Sequence, residues 1–155
     1  HPNQDADDFI AMKRFGLQGM KILVFAFGND LPTNPYIPHR HIHNCIVYTG
    51  THDCNTVRGW FENELSADDK NRLFQYLGRS VSSTDISWEM IRLAMMSVAD
   101  TVIFPMQDIL SLSAESRMNF PGTVEGNWLW PMQEQHMTPD LCAKLRQTTE
   151  LFGRA

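Results

Sequence analysis

The chain has 155 residues, of which 43% are hydrophobic and 20% charged. These proportions are typical of one globular domain, which at this length buries about two-thirds of its unfolded surface. The formal net charge of −5 argues against nucleic-acid binding, which needs clustered Lys and Arg. No apolar run approaches the roughly 20 residues of a membrane span, so we expect no membrane contact.

The cysteines indicate a reducing compartment. There are three, Cys45, Cys54 and Cys142, and they show no C-x-x-C spacing. An odd, scattered set predicts reduced thiols, with neither a disulfide framework nor a zinc site. No signal peptide is visible, so we expect a cytoplasmic protein. The chain begins with His1 and not Met, and we expect it to be a piece of a longer protein.

The first predicted elements are a short helix from Asp8 to Arg14 and a strand from Met20 to Phe27. The strand is a continuous apolar run, which is typical of a strand buried on both faces of a parallel sheet. The turn residues of positions 28–35 predict a loop. A second strand follows at about Asn44 to Thr49.

Three helices are predicted next. Thr56 to Leu65 forms the first, and the second begins at Ser66, with a partial capping box to Asp69 and Gly78 after its end. The third runs from Ser87 to near Asp100. Its predicted inner face consists of Trp88, Ile91, Met95 and Val98.

A third apolar strand, Thr101 to Met106, precedes a long loop at Met118 to Pro131 and a final helix capped by Thr138. The predicted inner face of that helix consists of Leu141, Leu145, Leu151 and Phe152. Apolar strands separated by long connections predict parallel pairing and an α/β fold. Three strands are few for 155 residues, so we interpret the chain as a slice of a larger α/β barrel.

The candidate site follows the second strand, where Thr49-Gly50-Thr51 leads into His52 and Asp53. An Asp in this place is commonly a turn former or a helix N-cap. However, loops beyond strand ends carry the chemistry of α/β folds, and the other loops have residues suited to sugar binding. These are Asp30, Asn34, Asn119 and Asn127, with Trp128 and Trp130 as stacking surfaces.

Two other chemistries are open. His39, His41 and His43 alternate and would share one face of a strand, where they could bind zinc or iron. Pro38 disfavours a regular strand there, and no Glu and His follow at the expected spacing, so we favour a polar surface loop.

A thiol nucleophile at Cys54 is the second alternative, since His52 is nearby as a base. On a tight turn, however, side chains this close in sequence point apart. Glu115 is interpreted as a solvated acid at a helix start.

Several blocks of the chain together resemble the amylomaltase (4-α-glucanotransferase) family, glycoside hydrolase family 77. The resemblance extends from about Asp8 to the C-terminus, in the family's order. The blocks are F-G-L-Q-G-M-K-I-L-V-F-A-F (15–27), N-P-Y-I-P-H (34–39), Y-T-G-T-H-D (48–53), R-G-W (58–60), P-M-Q-D (105–108), and S-R-M-N-F-P-G-T with G-N-W-L-W (116–130). The resemblance implies that residues 1–155 are one segment, the last three strand-helix units of a catalytic (β/α)8 barrel.

The resemblance also implies a retaining transfer of α-1,4-glucan segments between maltooligosaccharides or starch- and glycogen-derived glucans, with no cofactor and no metal. Asp53 then matches the carboxylate that stabilises the transition state. His52 and Asn119 match residues that contact the donor sugar, and Asp30 matches a sugar-binding loop residue less closely.

The chain departs from the family at Cys54 and Asn55, where T-H-D-N-D-T is common. The family's nucleophile and acid/base lie on earlier strands, so the resemblance implies that this chain alone is inactive. The alternative is a non-catalytic glucan-binding or scaffolding fragment. Exposed strand edges would also favour self-association of the fragment.

Overall fold

The computed structural model describes residues 10–12 and 14–155, which form an α/β fold. Strands β1 (Gly19–Ile22), β2 (Cys45–Tyr48) and β3 (Thr101–Ile103) form one parallel sheet in that order. The register pairs Ile22 with Tyr48, and Tyr48 with Ile103. The predicted α/β class and parallel pairing are therefore confirmed, and the carboxyl ends of the strands share one edge of the sheet.

The helices largely follow the local sequence signals. They are α1 (Val57–Asn63), α2 (Ala67–Leu77), α3 (Ile86–Met96), α4 (Met106–Ile109) and α5 (Pro139–Leu151). The capping box of Ser66 with Asp69 is present, and Gly78 ends α2 with a φ of +74°. None of the helices in the described part of the chain is long and apolar enough to cross a membrane.

The predicted N-terminal helix, Asp8 to Arg14, falls partly outside the described residues. Residues 10–12 and 14 are helical, as predicted, whereas Asp8, Phe9 and Lys13 lie outside the described part.

The first strand is shorter than predicted, because the chain turns after Ile22 into a 3₁₀ turn, Leu23–Phe25. This turn buries Leu23 completely and exposes Phe25 by 52%. Apart from Phe25, the apolar run up to Phe27 therefore packs into the core without continuing the strand. An apolar run by itself does not distinguish these two outcomes.

The third strand ends at Ile103 and not at Met106, because Pro105 precedes α4 as its N-cap and has no N–H for the sheet. The predicted inner faces of two helices are also wrong at one residue each. Val98 lies beyond the end of α3 and is 50% exposed, and Leu151 on α5 is 75% exposed. The other members pack together with Ile109, namely Trp88, Ile91, Met95, Leu141, Leu145 and Phe152.

The two faces of the sheet differ. Cys45 and Val47 on β2 are fully buried and belong to the core that includes residues of α1, α2 and α3. On the opposite face, Ile22, Tyr48 and Ile103 form a row across the sheet, and Ile103 is 42% exposed. The prediction that the strands are buried on both faces is therefore wrong for residues 10–12 and 14–155.

Gly59 allows α1 to pack closely against the 3₁₀ turn Ala114–Ser116. A Cβ atom at Gly59 would lie 2.8 Å from the Ala114 Cα and 2.4 Å from the Asn55 Oδ1. Both atoms are too close for any side chain. Because the loops after β2 and β3 meet here, this contact helps to set their spacing.

We predict that Gly59→Ala lowers the free energy of unfolding by about 1–3 kcal/mol, the usual cost of overpacking. Chemical denaturation followed by circular dichroism measures the change. Gly19→Ala is the matched control, since a Cβ there meets the Met12 Cε at an ordinary 3.5 Å. Equal stability of the two variants would contradict the close packing of Gly59.

Candidate functional site

A large cleft opens at the carboxyl edge of the sheet, with a volume of about 1000 Å³. The partly exposed row Ile22, Tyr48 and Ile103 forms part of its wall. The rest comes chiefly from the loop after β2 and from the segments that follow β3. Those segments contribute, among others, Asp108, Arg117 and Trp128.

Three of the site residues predicted from the sequence come together here: His52 and Asp53 line the cleft, and Asn119 contacts Asp53. The Asn119 side-chain amide donates to the Asp53 Oδ1 at 2.6 Å, although the residues are 66 positions apart. The His52 Nε2 lies 3.4 Å from the Asp53 Oδ2. The side chains of His52 and Asp53 are each about half exposed (56% and 51%). Asp53 is thus held by a neutral amide and remains open to a ligand.

Arg117 connects the loop after β2 to the loop after β3. Its guanidinium donates to the backbone carbonyl of Asp53 at 2.7 Å and to that of Asn119 at 2.8 Å. It also lies over the Phe120 ring, 4.3 Å from the centroid, and 3.7 Å from the Glu64 carboxylate. No sequence pattern assigns a role to Arg117, although its position in R-M-N, close to the predicted ligand residue Asn119, is a usable signal.

Trp128 forms an aromatic wall beside His52. The two rings have centroids 5.1 Å apart. Trp128 has a φ of +60°, which is uncommon for a residue other than glycine. Its backbone N–H donates to the Met118 carbonyl at 2.7 Å. The backbone is thus held in a costly conformation that keeps the indole in the cleft. Trp130, the other predicted stacking residue, instead stacks on His136.

Asp108 is a buried carboxylate to which no sequence pattern assigns a role. It is 1% exposed and accepts hydrogen bonds from the Thr49 hydroxyl at 2.6 Å and the Val57 N–H at 2.8 Å. Burial raises its pKa to about 6, and the two hydrogen bonds oppose that rise. A polar residue just after a strand was the signal available in the sequence.

The remaining loop residues serve mainly the loops themselves. The Asp30 carboxylate accepts from the Asn34 amide at 3.0 and 3.1 Å, and Asp30 is not among the residues that line the cleft. Asn34 is buried and also donates to the Phe25 carbonyl. Asn127 accepts from the Phe120 N–H and donates to Thr123. Of these, Asn34 and Asn127 are occupied by contacts within their own loops.

The alternating histidines do not converge, and no cluster of metal-ligating side chains occurs within residues 10–12 and 14–155. His41 is 8% exposed, so the prediction of a surface loop is wrong for this residue. Its ring nitrogens contact the Ser97 hydroxyl at 2.7 Å and the Tyr36 carbonyl at 2.8 Å. His39 contacts Tyr76, and His43 lies near Asp100.

The Cys54 thiol lies at the cleft but does not pair with a base. Its hydrogen-bond partner is the Thr51 hydroxyl at 3.4 Å, while the His52 imidazole is directed to Asp53 and Trp128. Cys45, Cys54 and Cys142 are all free thiols. Glu115 is exposed, in agreement with the interpretation of a solvated acid.

The burial of Asp108 predicts a pH-dependent stability. Its pKa is about 6 in the folded chain against an ordinary value of 3.8. The unfolded chain therefore loses its proton first, and the stability that this group contributes below pH 4 is lost as the pH rises to 6. Above pH 6 the loss in folding stability is complete, at about 3 kcal/mol for this pKa difference at ~1.4 kcal/mol per pKa unit.

Asp108→Asn removes this titration. We expect the stability of Asp108→Asn relative to the native chain to rise between pH 4 and pH 6 and to stay constant above that range. Urea denaturation of both proteins at half-unit pH intervals measures the difference. A difference that does not change with pH would contradict the raised pKa of Asp108.

Comparison with known proteins gives a consistent result. The family model described as 4-alpha-glucanotransferase (Glyco_hydro_77) matches residues 9–138. The chain is 44% identical to the 4-alpha-glucanotransferase of Clostridium butyricum over 142 residues, which is 92% of this chain and 29% of the relative. It is 47% identical to that of Synechocystis over 141 residues, or 90% of this chain and 27% of the relative.

Among solved structures, the chain is similar to the amylomaltase from Streptococcus agalactiae in complex with acarbose. The TM-score is 0.86 at 37% identity, over 93% of this chain and 29% of the amylomaltase. The chain thus spans less than a third of the length of each of these relatives.

Proposed function

The chain belongs to the 4-alpha-glucanotransferase family, glycoside hydrolase family 77, and from this premise we propose that it is the C-terminal portion of an enzyme that transfers α-1,4-glucan segments between maltooligosaccharides. The observation that carries the proposal is that Asp53, in the wall of an open cleft with His52, is also contacted by Asn119. That a similar amylomaltase holds acarbose supports a glucan as the ligand.

The proposed architecture of the whole protein is a (β/α)8 barrel, of which residues 1–155 supply the last three strand-helix units. Two features support it. The strands are parallel and adjacent in chain order, as in such barrels. The cleft-side row of Ile22, Tyr48 and Ile103 is apolar and partly exposed, as expected of a barrel interior whose other strands belong to the rest of the protein. The same strands would cover the open edges of β1 and β3, which otherwise favour self-association of the isolated chain.

In the proposed mechanism, Asp53 acts through its charge. A retaining transfer passes through a transition state with oxocarbenium character, and a fixed carboxylate beside the sugar ring favours that positive charge over the neutral ground state. The nucleophile and the acid/base are assigned to the part of the protein outside this chain. No metal or organic cofactor is needed for these steps.

His52, Asn119 and Trp128 are assigned to the donor sugar. The imidazole and the amide can form hydrogen bonds with hydroxyl groups, and the indole offers an apolar face for the sugar ring. The assignment of Asp30 to sugar binding is weaker. Its carboxylate contacts Asn34, which in turn contacts Phe25 in the wall of the cleft. The cytoplasmic location stays a prediction; the relative in Arabidopsis thaliana is named as chloroplastic or amyloplastic.

We predict that Asp53→Asn in the full-length protein lowers kcat for maltotriose disproportionation at least ~10²-fold, because one preorganised electrostatic contact to the transition state is lost. Glucose release in a coupled assay measures the rate. Asp68→Asn makes the same chemical change at an exposed position on α2 and serves as the control. A near-normal rate for Asp53→Asn would refute the assignment.

The second candidate function is a non-catalytic glucan-binding fragment, favoured by the aromatic wall at Trp128 and by the presence of one assigned catalytic carboxylate. Thin-layer chromatography after incubation with maltotriose distinguishes the transferase function from the binding function. We expect disproportionation products from the full-length protein and none from residues 1–155 alone. Products from the isolated chain would show that it contains a complete catalytic site, and a full-length protein without products would favour the binding function.

A further inference from the structure

The loop that carries His52 and Asp53 is fixed at both of its ends by one side chain. Thr49, the last residue before the loop, donates its hydroxyl proton to the Asp108 Oδ2 at 2.6 Å. Val57, the first residue after the loop, donates its N–H to the Asp108 Oδ1 at 2.8 Å. The seven intervening residues, 50–56, are therefore closed off by a single carboxylate from the segment after β3.

This arrangement is costly for the fold. Asp108 is 1% exposed, and no Lys, Arg or His side chain within residues 10–12 and 14–155 forms an ion pair with it. A buried carboxylate without a cation is unfavourable unless hydrogen bonds satisfy it. Both of its oxygens are satisfied, and both hydrogen bonds lead to the ends of the same loop.

The second fixed point of the loop lies at Asp53 itself. Arg117 donates to the Asp53 backbone carbonyl, and Asn119 donates to its carboxylate. Arg117 and Asn119 belong to the chain after β3, as Asp108 does. The loop is thus held to the β3 side at both of its ends and at Asp53.

We propose that Asp108 is a positioning residue that sets the place of His52 and Asp53 by tying the end of β2 to the start of α1. The consequence for catalysis rests on the proposed glucanotransferase function. Electrostatic stabilisation depends on where the charge lies when the transition state forms, and a displacement of about 1 Å can cost ~10²-fold in rate.

The test compares Asp108→Ala with Asp108→Asn in the full-length protein. Asparagine keeps both contacts, because its Oδ1 accepts from the Val57 N–H and its amide donates to the Thr49 hydroxyl. Alanine removes both. We expect Asp108→Ala to lower kcat at least ~10-fold with KM changed less than ~3-fold, and Asp108→Asn to keep kcat within ~3-fold of the native value, as a displacement of Asp53 predicts.

A second readout does not depend on activity. Hydrogen exchange at the Val57 amide and across residues 50–56 reports directly on the loop. We expect faster exchange in Asp108→Ala and native exchange in Asp108→Asn. If the native protein transfers no glucan, the proposed function fails, and the exchange data still decide whether Asp108 holds the loop.

Thr49 supplies a milder pair of variants in case Asp108→Ala does not fold. Thr49→Val removes one of the two hydrogen bonds at nearly equal volume, and Thr49→Ser keeps the hydroxyl. We expect slower turnover and faster exchange in Thr49→Val, and native behaviour in Thr49→Ser. Native rates and native exchange in Asp108→Ala or Thr49→Val would overturn the proposal, as would an Asp108→Asn variant as impaired as Asp108→Ala.

Discussion

The parallel pairing of β2 with β3 is the constraint on which the site depends. The register places Tyr48 beside Ile103, the last residues of the two strands, so the chain leaves both strands at the same height. The loop with Asp53 and the segment with Asp108 then begin side by side. Their contacts, through Asp108 at the loop ends and Arg117 at Asp53, follow from this register. A shift of one residue would turn the strand's side chains to the opposite faces.

The sequence predicted best what is decided locally. The capping box at Ser66 and the N-cap at Thr138 depend on residues within one turn, and both are present. The strand ends were less predictable. The run from Leu23 to Phe27 is apolar because most of it packs into the core, not because it pairs in the sheet. The contact of Asp53 with Asn119 joins residues 66 positions apart. The family resemblance assigns both residues to one sugar site but predicts no contact between them, and no local pattern does so either. Arg117 and Asp108 were missed because their roles exist only in the tertiary contacts.

The open face of the sheet explains a discrepancy between composition and burial. The strands are mostly apolar, as in a sheet covered on both sides, yet Met20 is 55% and Ile103 is 42% exposed. The helices cover only the face of Cys45 and Val47. The strands have the composition of a sheet buried on both faces, but the described residues cover one face. One portion of a closed barrel would have this combination. This open face supports the proposal that the cleft is part of the inner surface of a larger barrel.

Two carboxylates near this edge have opposite environments, and the difference suits different tasks. Asp108 is buried, and its carboxylate oxygens accept hydrogen bonds from within the fold, so its charge is not available to a ligand. Asp53 is half exposed, and its carboxylate contacts a neutral amide and an imidazole. The nearby cation, Arg117, binds the backbone carbonyl of Asp53 and leaves the carboxylate itself unpaired with a guanidinium. A bidentate arginine on the carboxylate would offset its charge. By fixing the backbone instead, Arg117 holds Asp53 in place and leaves its negative charge available to the positively charged transition state of the proposed transfer.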